Sequence, residues 1–213
     1  MKEQIIGRGA EALLIKSGDM LKKRRIKKGY RHEALDLMLR ATRTRKEAKL
    51  LEKALRVILV PKVKAIDGIT TKKKLEPETE IEMEFIYGKA LSFHLDKFPL
   101  NKALTICREI GKSTAKLHDL GIIHGDLTTS NMILKQDKVY FVDFGLGFHS
   151  DRIEDKAVDL HLLREALEAK HFKHWPEFFK AVGEGYKISK NALAVLERLK
   201  KVEGRGRYKG KGS

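Results

Sequence analysis

Two carboxylates and one carboxamide stand in this sequence at a spacing that suits phosphoryl transfer. Asp126 and Asn131 are separated by four residues in the segment His124-Gly125-Asp126-Leu127-Thr128-Thr129-Ser130-Asn131, named here the Asp126 loop. Asp143 follows Asn131 after eleven intervening residues and begins the sequence Asp143-Phe144-Gly145. In phosphoryl transfer one Asp can accept the proton of the attacking hydroxyl, while an Asn and a second Asp hold magnesium against the nucleotide phosphates. The spacing predicts Asp126 as the base and Asn131 and Asp143 as magnesium ligands.

The residues between Asn131 and Asp143 predict how these side chains meet. Segments 132–134 and 139–142 are apolar enough for two short strands, and the polar segment 135–138 between them is typical of a turn. A hairpin would return Asp143 to the neighbourhood of Asn131. Asp and Asn are also common in turns and helix caps. Any one of the three residues could be of that kind, whereas all three in this order favour a functional site.

Length and composition limit the classes of protein that fit. A chain of 213 residues forms one large domain or two small lobes. No stretch resembles a membrane span or a signal peptide, so we expect a cytoplasmic protein with no membrane partner. The single cysteine, Cys107, excludes an internal disulfide and is expected in the core. His171 and His174 have no partner spacing for zinc, and we expect them at the surface.

The positive charge lies at the two ends of the chain. The net charge is +16, and Lys and Arg outnumber Asp and Glu by 22 to 8 in residues 1–74 and by 6 to 1 in residues 200–213. Residues 75–199 carry 17 basic and 20 acidic residues. Basic surfaces attract phosphate backbones, although solvated lysine faces are common. The tail, with Tyr208, is expected either to contact RNA or only to aid solubility.

A glycine-rich segment near the start predicts a phosphate-binding loop inside a β-hairpin. Gly7, Gly9, Ala10 and Glu11 precede an apolar run, and Ser17-Gly18-Asp19 leads into a second strand. The third glycine of a G-x-G-x-x-G pattern is replaced by Ala12. The motif is therefore weak by itself.

The second strand carries the expected phosphate-binding lysine. Met20-Leu21-Lys22-Lys23 matches the kinase pattern V-A-I-K, and alternation in a strand places Leu21 and Lys23 on one face. We assign Lys23 to the phosphates. Lys22 takes its place if the register slips by one residue.

Such a lysine needs a carboxylate from the next helix. Glu47 shares a helical face with Leu50, Leu51 and Ala54, which makes it the first candidate. The sequence Thr44-Arg45-Lys46-Glu47 is also a capping box, in which Glu47 would close the start of a helix. The sequence leaves both possibilities open, with Glu33, Asp36 and Glu52 as weaker alternatives.

The segment 81–86 alternates apolar and acidic residues, as a half-buried strand does. In a nucleotide site Met83 would stand behind the adenine, and the backbone of Glu84 and Ile86 would bind the base. An ordinary edge strand is the alternative.

Apolar periodicity predicts a helix from Leu100 to His118 that leads into the Asp126 loop. Asp159, on a later helix, could accept hydrogen bonds from the backbone of the loop or face solvent. Gly125 stands where most protein kinases have Arg, and no Ala-Pro-Glu sequence follows Asp143. Control by phosphorylation of an activation loop is therefore not expected.

Together these segments resemble a known family, the small atypical kinase of the KEOPS (EKC) complex. The matching residues are Lys23 with Arg25, Lys28-Gly29-Tyr30-Arg31-His32, Leu35-Asp36, Arg43-Thr44, Glu47-Ala48, the Asp126 loop and Asp143-Phe144-Gly145-Leu146. The resemblance implies an α+β, reduced two-lobed protein-kinase-like fold related to the RIO kinases, with a β-rich N-lobe (1–87), a short helical C-lobe (88–199) and a basic tail (200–213). It also implies ATP and Mg²⁺ in the cleft.

The activity implied by the resemblance is that of a serine/threonine kinase or ATPase. Family members act beside a threonylcarbamoyl-transferase subunit in making the threonylcarbamoyl-adenosine of transfer RNA. Two other interpretations remain open at this point. One is a small-molecule phosphotransferase of the same fold, for which residues 144–213 leave little room. The other is a non-catalytic RNA-binding or assembly module, which the basic ends favour.

Overall fold

The computed structural model describes residues 3–66 and 79–206. The chain divides into two compact units, which we treat separately. Unit 1 comprises Met1–Arg56 and Val60–Tyr87, and unit 2 comprises Val57–Leu59 and Gly88–Ser213. The short segment Val57–Leu59 belongs to unit 2 because the backbone N–H of Phe141 donates to the carbonyl oxygen of Leu59 at 2.9 Å.

Unit 1 is an antiparallel sheet with one long helix. Its elements are β1 (Gln4–Arg8), β2 (Ala12–Ser17), β3 (Met20–Arg25), α1 (Glu33–Ala54), β4 (Val63–Ile66) and β5 (Glu80–Glu84). The strand order is β1-β2-β3-β5-β4. Opposite charges face each other between β3 and β5, where Lys22 pairs with Glu82 and Arg24 with Glu80. Such cross-strand pairs stabilise the register.

Helix α1 buries one face, which carries small and apolar residues together with three polar ones. The buried residues are Asp36, Ala41, Thr44, Glu47, Ala48, Leu50, Leu51 and Ala54. Spacings of three and four residues produce this face. A carboxylate in such a face requires a positively charged partner, because an unpaired buried charge is costly.

Unit 2 is mainly helical with two small sheets. Its elements are β6 (Lys89–Ala90), α2 (Leu91–His94), α3 (Leu100–Asp119), β7 (Ile122–Ile123), β8 (Met132–Lys135), β9 (Lys138–Phe141), β10 (Phe148–His149), α4 (Ile153–Lys170), α5 (Trp175–Tyr186) and α6 (Ala192–Gly206). One sheet has the order β6-β8-β9, and the other pairs β10 with β7. The predicted α+β fold, with a β-rich first part and a helical second part, is confirmed.

The contact between α3 and α5 depends on two glycines. A Cβ at Gly111 would lie 2.0 Å from the Val182 carbonyl oxygen, and a Cβ at Gly185 would lie 2.0 Å from the Arg108 carbonyl oxygen. The helices therefore touch backbone to backbone, which only residues without a side chain permit. This contact supports α3, the helix that leads into the Asp126 loop.

The predicted hairpin between Asn131 and Asp143 is formed by β8 and β9. Its two turn residues, Gln136 and Asp137, have φ of 50° and 58°. Two successive residues in this left-handed region match the two-residue turn that fits the twist of hairpin strands. The turn fixes the register in which Met132 faces Phe141.

Cys107 is fully buried, as predicted, and burial raises the pKa of its thiol to about 12. Residues 200–206, which were predicted to belong to a basic tail, continue helix α6 instead. Residues 207–213, with Tyr208, lie outside the described residues. In the described part of the chain, no helix combines the length and the apolar character needed to cross a membrane.

Candidate active site

In unit 1, the structure brings Lys23 and Glu47 together and adds a second cation. Lys23 Nζ lies 2.7 Å from Glu47 Oε1, and Arg25 Nη2 lies 2.7 Å from Glu47 Oε2. Glu47 is 1% exposed, Lys23 8% and Arg25 6%. Arg25 was not assigned to this cluster from the sequence. Alternation in β3 places it on the face of Lys23, so the signal was present.

Two alternatives from the sequence are decided by this geometry. Lys22 points to the other face of β3 and pairs with the exposed Glu3 at 2.9 Å. Glu47 does not cap a helix start, because α1 begins fourteen residues earlier, at Glu33. Thr44 is not a cap either, since its hydroxyl donates to the Arg40 carbonyl oxygen one turn back, at 2.8 Å.

The glycine-rich segment forms the expected hairpin, with one difference. Gly7 belongs to strand β1, facing Leu14, and the register shifts between Ile5 and Gly7. Gly9, Ala10 and Glu11 form the turn, closed by the Gly9 N–H that donates to the Ala12 carbonyl oxygen at 2.9 Å. The Lys28 ammonium donates to the carbonyl oxygen of Ala10.

Met83 and Glu84 end β5, which is an interior strand of the sheet rather than an edge strand, and Ile86 lies two residues beyond it. The side chains of Met83 and Ile86 are buried. The N–H of Glu84 already donates to the Lys62 carbonyl oxygen at 2.9 Å. Any contact of Glu84 with a base is therefore left to its carbonyl oxygen.

In unit 2, Asn131 holds Asp126 directly. The Nδ2 of Asn131 donates to the carbonyl oxygen of Asp126 at 2.9 Å and to its Oδ2 at 2.8 Å. Because both amide hydrogens are used, Oδ1 of Asn131 remains as an acceptor. The N–H of Val142 donates to the Asn131 carbonyl oxygen at 3.0 Å, so the hairpin returns the chain beside Asn131 one residue before Asp143.

Asp159 on α4 fixes the start of the Asp126 loop. Its Oδ2 accepts the backbone N–H of His124 at 2.9 Å, and its Oδ1 accepts that of Gly125 at 2.9 Å. Nε2 of His118 lies 3.1 Å from the same Oδ2. Burial acts to raise the pKa of Asp159, but the hydrogen bond and charge of His118 outweigh it and hold the pKa below its ordinary value. The prediction that Asp159 accepts hydrogen bonds from the loop is confirmed.

His124 is a buried neutral ring beneath the loop. Burial lowers the pKa of His124. Its Nε2–H donates to the Val142 carbonyl oxygen at 3.2 Å, and its Nδ1 accepts the Asp126 N–H at 3.4 Å. The ring packs against Phe144, with the ring centroids 4.6 Å apart. His124 thus ties Asp126 to the strand that leads to Asp143.

The structure gives a steric reason for glycine at position 125. Gly125 has φ of +78°, and a Cβ there would lie 2.5 Å from the carbonyl oxygen of Leu146. No side chain fits without a shift of backbone. An Arg in this place would require a different path for residues 144–147.

Asp143 has φ of 63°, a strained conformation for a residue with a side chain. Its Oδ1 accepts the N–H of Gly145 at 3.1 Å. Within residues 3–66 and 79–206, no three His, Cys, Asp or Glu side chains cluster closely enough to hold a metal ion. Magnesium, however, commonly takes one or two protein oxygens and completes its shell with water and phosphate. The amide oxygen of Asn131 and the carboxylate of Asp143 fit that donor chemistry.

The expectation that His171 lies at the surface was wrong. His171 is 1% exposed, and its ring lies between Thr129 of the Asp126 loop and Asp96. His174 is half-buried. Sequence spacing gave no signal for His171, because its partners lie 42 and 75 residues away along the chain.

Comparison with known proteins gives the family. Residues 18–148 match the family model described as RIO domain. The chain is 44% identical over 191 residues to the KEOPS complex subunit Bud32 of Pyrococcus abyssi, which covers 88% of this chain and 83% of that protein. It is 39% identical over 201 residues to the probable serine/threonine-protein kinase BUD32 homolog of Archaeoglobus fulgidus, covering 94% of each.

A further relative is longer. The chain is 40% identical over 208 residues to a probable bifunctional tRNA threonylcarbamoyladenosine biosynthesis protein of Methanococcus vannielii. That match covers 96% of this chain but only 36% of the relative. The family match over more than half of the chain, together with relatives of this identity and coverage, shows that the chain belongs to the RIO domain family, among its Bud32 members.

Proposed function

We propose that this chain is an ATP-dependent serine/threonine protein kinase or ATPase. The observation that carries the proposal is the contact between Asn131 and Asp126. It holds a carboxylate in place as a proton acceptor and leaves the amide oxygen of Asn131 as an acceptor for a metal ion. A held carboxylate, an available amide oxygen and the strained backbone of Asp143 together favour a catalytic role over a purely structural one.

Five residues of unit 2 have roles in this proposal. Asp126 accepts a proton from the attacking hydroxyl or water, or orients that group. Asn131 and Asp143 bind magnesium through their side-chain oxygens. Magnesium bound there would neutralise charge that develops on the phosphate oxygens. Asp159 and His124 hold the Asp126 loop in the geometry that proton transfer needs.

The residues of unit 1 bind the nucleotide in this proposal. Lys23, oriented by Glu47, donates to the phosphates, and the turn formed by Gly9, Ala10 and Glu11, with Gly7 at its base, covers them. The buried Met83 stands behind the adenine, which is bound by the Glu84 carbonyl oxygen and the Ile86 backbone. A buried, paired lysine of this kind is held in one orientation, which favours directional binding.

ATP turnover with magnesium tests the assignment of the base. Asp126→Ala should keep the fold and lose about 10²–10⁴-fold in turnover. Glu109→Ala, which removes an exposed carboxylate from α3, is the matched control and should retain the activity of the parent protein. Full activity of Asp126→Ala would refute the assignment.

We further propose that the chain works within the KEOPS complex, beside a threonylcarbamoyl-transferase subunit, in modification of transfer RNA. The names of these relatives, a KEOPS complex subunit and a tRNA threonylcarbamoyladenosine biosynthesis protein, support this role. In the Methanococcus relative, the stretch similar to this chain shares one polypeptide with a longer remainder, which supports a partner that acts together with it.

A basic surface supports contact with transfer RNA. Arg45, Lys46, Lys49 and Lys53 on α1 are exposed. Basic side chains that neutralise phosphates give binding that weakens steeply with salt. The basic tail is proposed to add to this contact.

The assembly role is tested by measuring ATP turnover with the chain alone, with transfer RNA and with the transferase subunit. Turnover that appears only with the subunit indicates an ATPase that works inside the complex. Phosphorylation of a protein substrate by the isolated chain indicates a kinase. Turnover unchanged by either addition would contradict the assembly role.

The charged ends also support a second candidate, a non-catalytic RNA-binding or assembly module. In that case binding of transfer RNA would be salt-sensitive and would survive Asp143→Ala, and the parent protein would not hydrolyse ATP under any of the three conditions.

A further inference from the structure

Three side chains form a hydrogen-bonded chain beneath the Asp126 loop. Thr129 Oγ1 lies 3.1 Å from His171 Nε2, and His171 Nδ1 lies 2.6 Å from Asp96 Oδ2. They come from three separate segments: the loop itself, the residue that ends α4, and the short 3-10 helix Leu95–Lys97. Thr129 is 0% exposed and His171 1% exposed. Asp96 is the surface end of the chain, with 43% of its side chain exposed. The buried hydroxyl of Thr129 and the buried ring of His171 are costly unless each is satisfied.

The chemistry of the three groups fixes the direction of their hydrogen bonds. An ionised Asp96 can only accept, so Nδ1 of His171 carries the hydrogen in that contact. In the neutral imidazole, Nε2 is then the acceptor, and it receives the hydroxyl hydrogen of Thr129. Asp96 thereby selects the tautomer of His171 that can hold Thr129.

The order Thr, His, Asp is also that of a nucleophile, a base and an orienting acid. Burial excludes that role, because a nucleophile must reach its substrate and the Thr129 side chain has no accessible surface. The same burial suits a residue that fixes the backbone. The contact therefore holds the loop in position rather than attacking a substrate.

The position of Thr129 lets it influence Asp126, the proposed base, through the backbone of the loop. It begins the 3-10 turn Thr129–Asn131, and the amide of Asn131, at the end of that turn, holds the Asp126 carboxylate at 2.8 Å. Asp159 fixes the other end of the loop, at His124 and Gly125. Among the described residues, the bond between Thr129 and His171 is the only polar contact that joins a side chain of residues 128–131 to a residue outside the Asp126 loop. Its loss would leave this half of the loop without such an anchor.

We propose that His171, oriented by Asp96, is a positioning residue for Asp126 and acts through the hydroxyl of Thr129. This inference rests on the proposed role of Asp126 as the base. It assigns no contact with ATP or magnesium to His171 or Thr129. A displacement of about 1 Å at a catalytic group can cost about 10²-fold in rate.

The test compares two substitutions at one position. Thr129→Val has nearly the same shape and no hydroxyl, whereas Thr129→Ser keeps the hydroxyl. We expect Thr129→Val to lower kcat for ATP turnover by about 10- to 100-fold with little change in KM for ATP, because the residues proposed to bind the nucleotide lie in unit 1 and are unchanged. We expect Thr129→Ser to restore most of kcat. His171→Phe should resemble Thr129→Val.

A second readout does not depend on turnover. Hydrogen exchange of the Asn131 N–H, which donates to the Thr128 carbonyl oxygen at 3.1 Å, should be faster in Thr129→Val than in Thr129→Ser or the parent protein. If the parent protein does not turn over ATP, the proposed function fails, and exchange alone decides the role of His171 in ordering the loop. Equal exchange in the Val and Ser variants would overturn this inference, as would equal kcat in an active protein.

Discussion

Replacing Glu47 with Gln should strongly destabilise the protein. Glu47 is 1% exposed and provides the carboxylate for two cations, Lys23 and Arg25, each at 2.7 Å. Gln has almost the same size but no charge, so both buried cations would lose the charge of the carboxylate that they share. Arg25 is already at a disadvantage, because its buried Nε has no hydrogen-bond partner.

The size of the effect follows from the burial of the cluster. Breaking a buried ion pair by removal of one partner costs about 3–5 kcal/mol, because the remaining charge is uncompensated. In a protein of this length, 1 kcal/mol shifts the melting temperature by about 2–4 °C, so the variant should melt about 6–20 °C lower. Scanning calorimetry at neutral pH measures this shift and would also separate transitions of the two units.

The control is Glu52→Gln, which neutralises an exposed carboxylate on the same helix. Surface substitutions of this kind usually change the free energy of unfolding by less than about 0.5 kcal/mol. Equal melting temperatures for the two variants would show that the buried cluster does not stabilise the fold.

Three further predictions use other parts of the structure. Gly111→Ala should lower the free energy of unfolding in urea by about 1–3 kcal/mol because α3 and α5 have no room for a methyl group, whereas Gly183→Ala has open space at the Cβ position and should be neutral or stabilising; an equal loss in both would contradict this account. Because burial lowers the pKa of His124 in the folded state, the unfolded chain binds a proton at this residue at a higher pH than the folded protein does. The free energy of unfolding should therefore fall as the pH drops below about 6.5. The loss between pH 7.5 and 5.5 should be smaller in His124→Asn, and an unchanged loss would argue against a buried neutral ring. Lys23→Ala should reduce ATP turnover by about 10²–10³-fold, while Lys22→Ala should leave it nearly unchanged, and the reverse result would show that the register assignment is wrong.

Several features could be predicted because they depend on local spacing. The hairpin that brings Asp143 back to Asn131 follows from two short apolar runs around a four-residue polar segment. The face of Lys23 follows from the alternation of side chains along a strand. The helix Leu100–Asp119 follows from its apolar period. The functional roles of Asp126, Asn131 and Asp143 remain predictions from the same spacing.

Other features depend on which distant segments pack together. The choice between Lys22 and Lys23 required the contact of β3 with α1, since either lysine could face a carboxylate until that packing was known. The steric need for Gly125 arises from the carbonyl oxygen of Leu146, and the burial of His171 arises from Asp96, 75 residues earlier in the chain.

By themselves, the types of the site residues and their local spacing predict the chemistry that this chain can offer: a base, two magnesium ligands and a phosphate-binding lysine. How these groups are held depends on tertiary packing: Arg25 shares Glu47 with Lys23, Asp159 binds the start of the Asp126 loop, and His171 contacts Thr129 in its second half. Burial is the physical reason. Whether a charged or polar side chain is buried, and which partner then satisfies it, depends on long-range packing that no local pattern encodes.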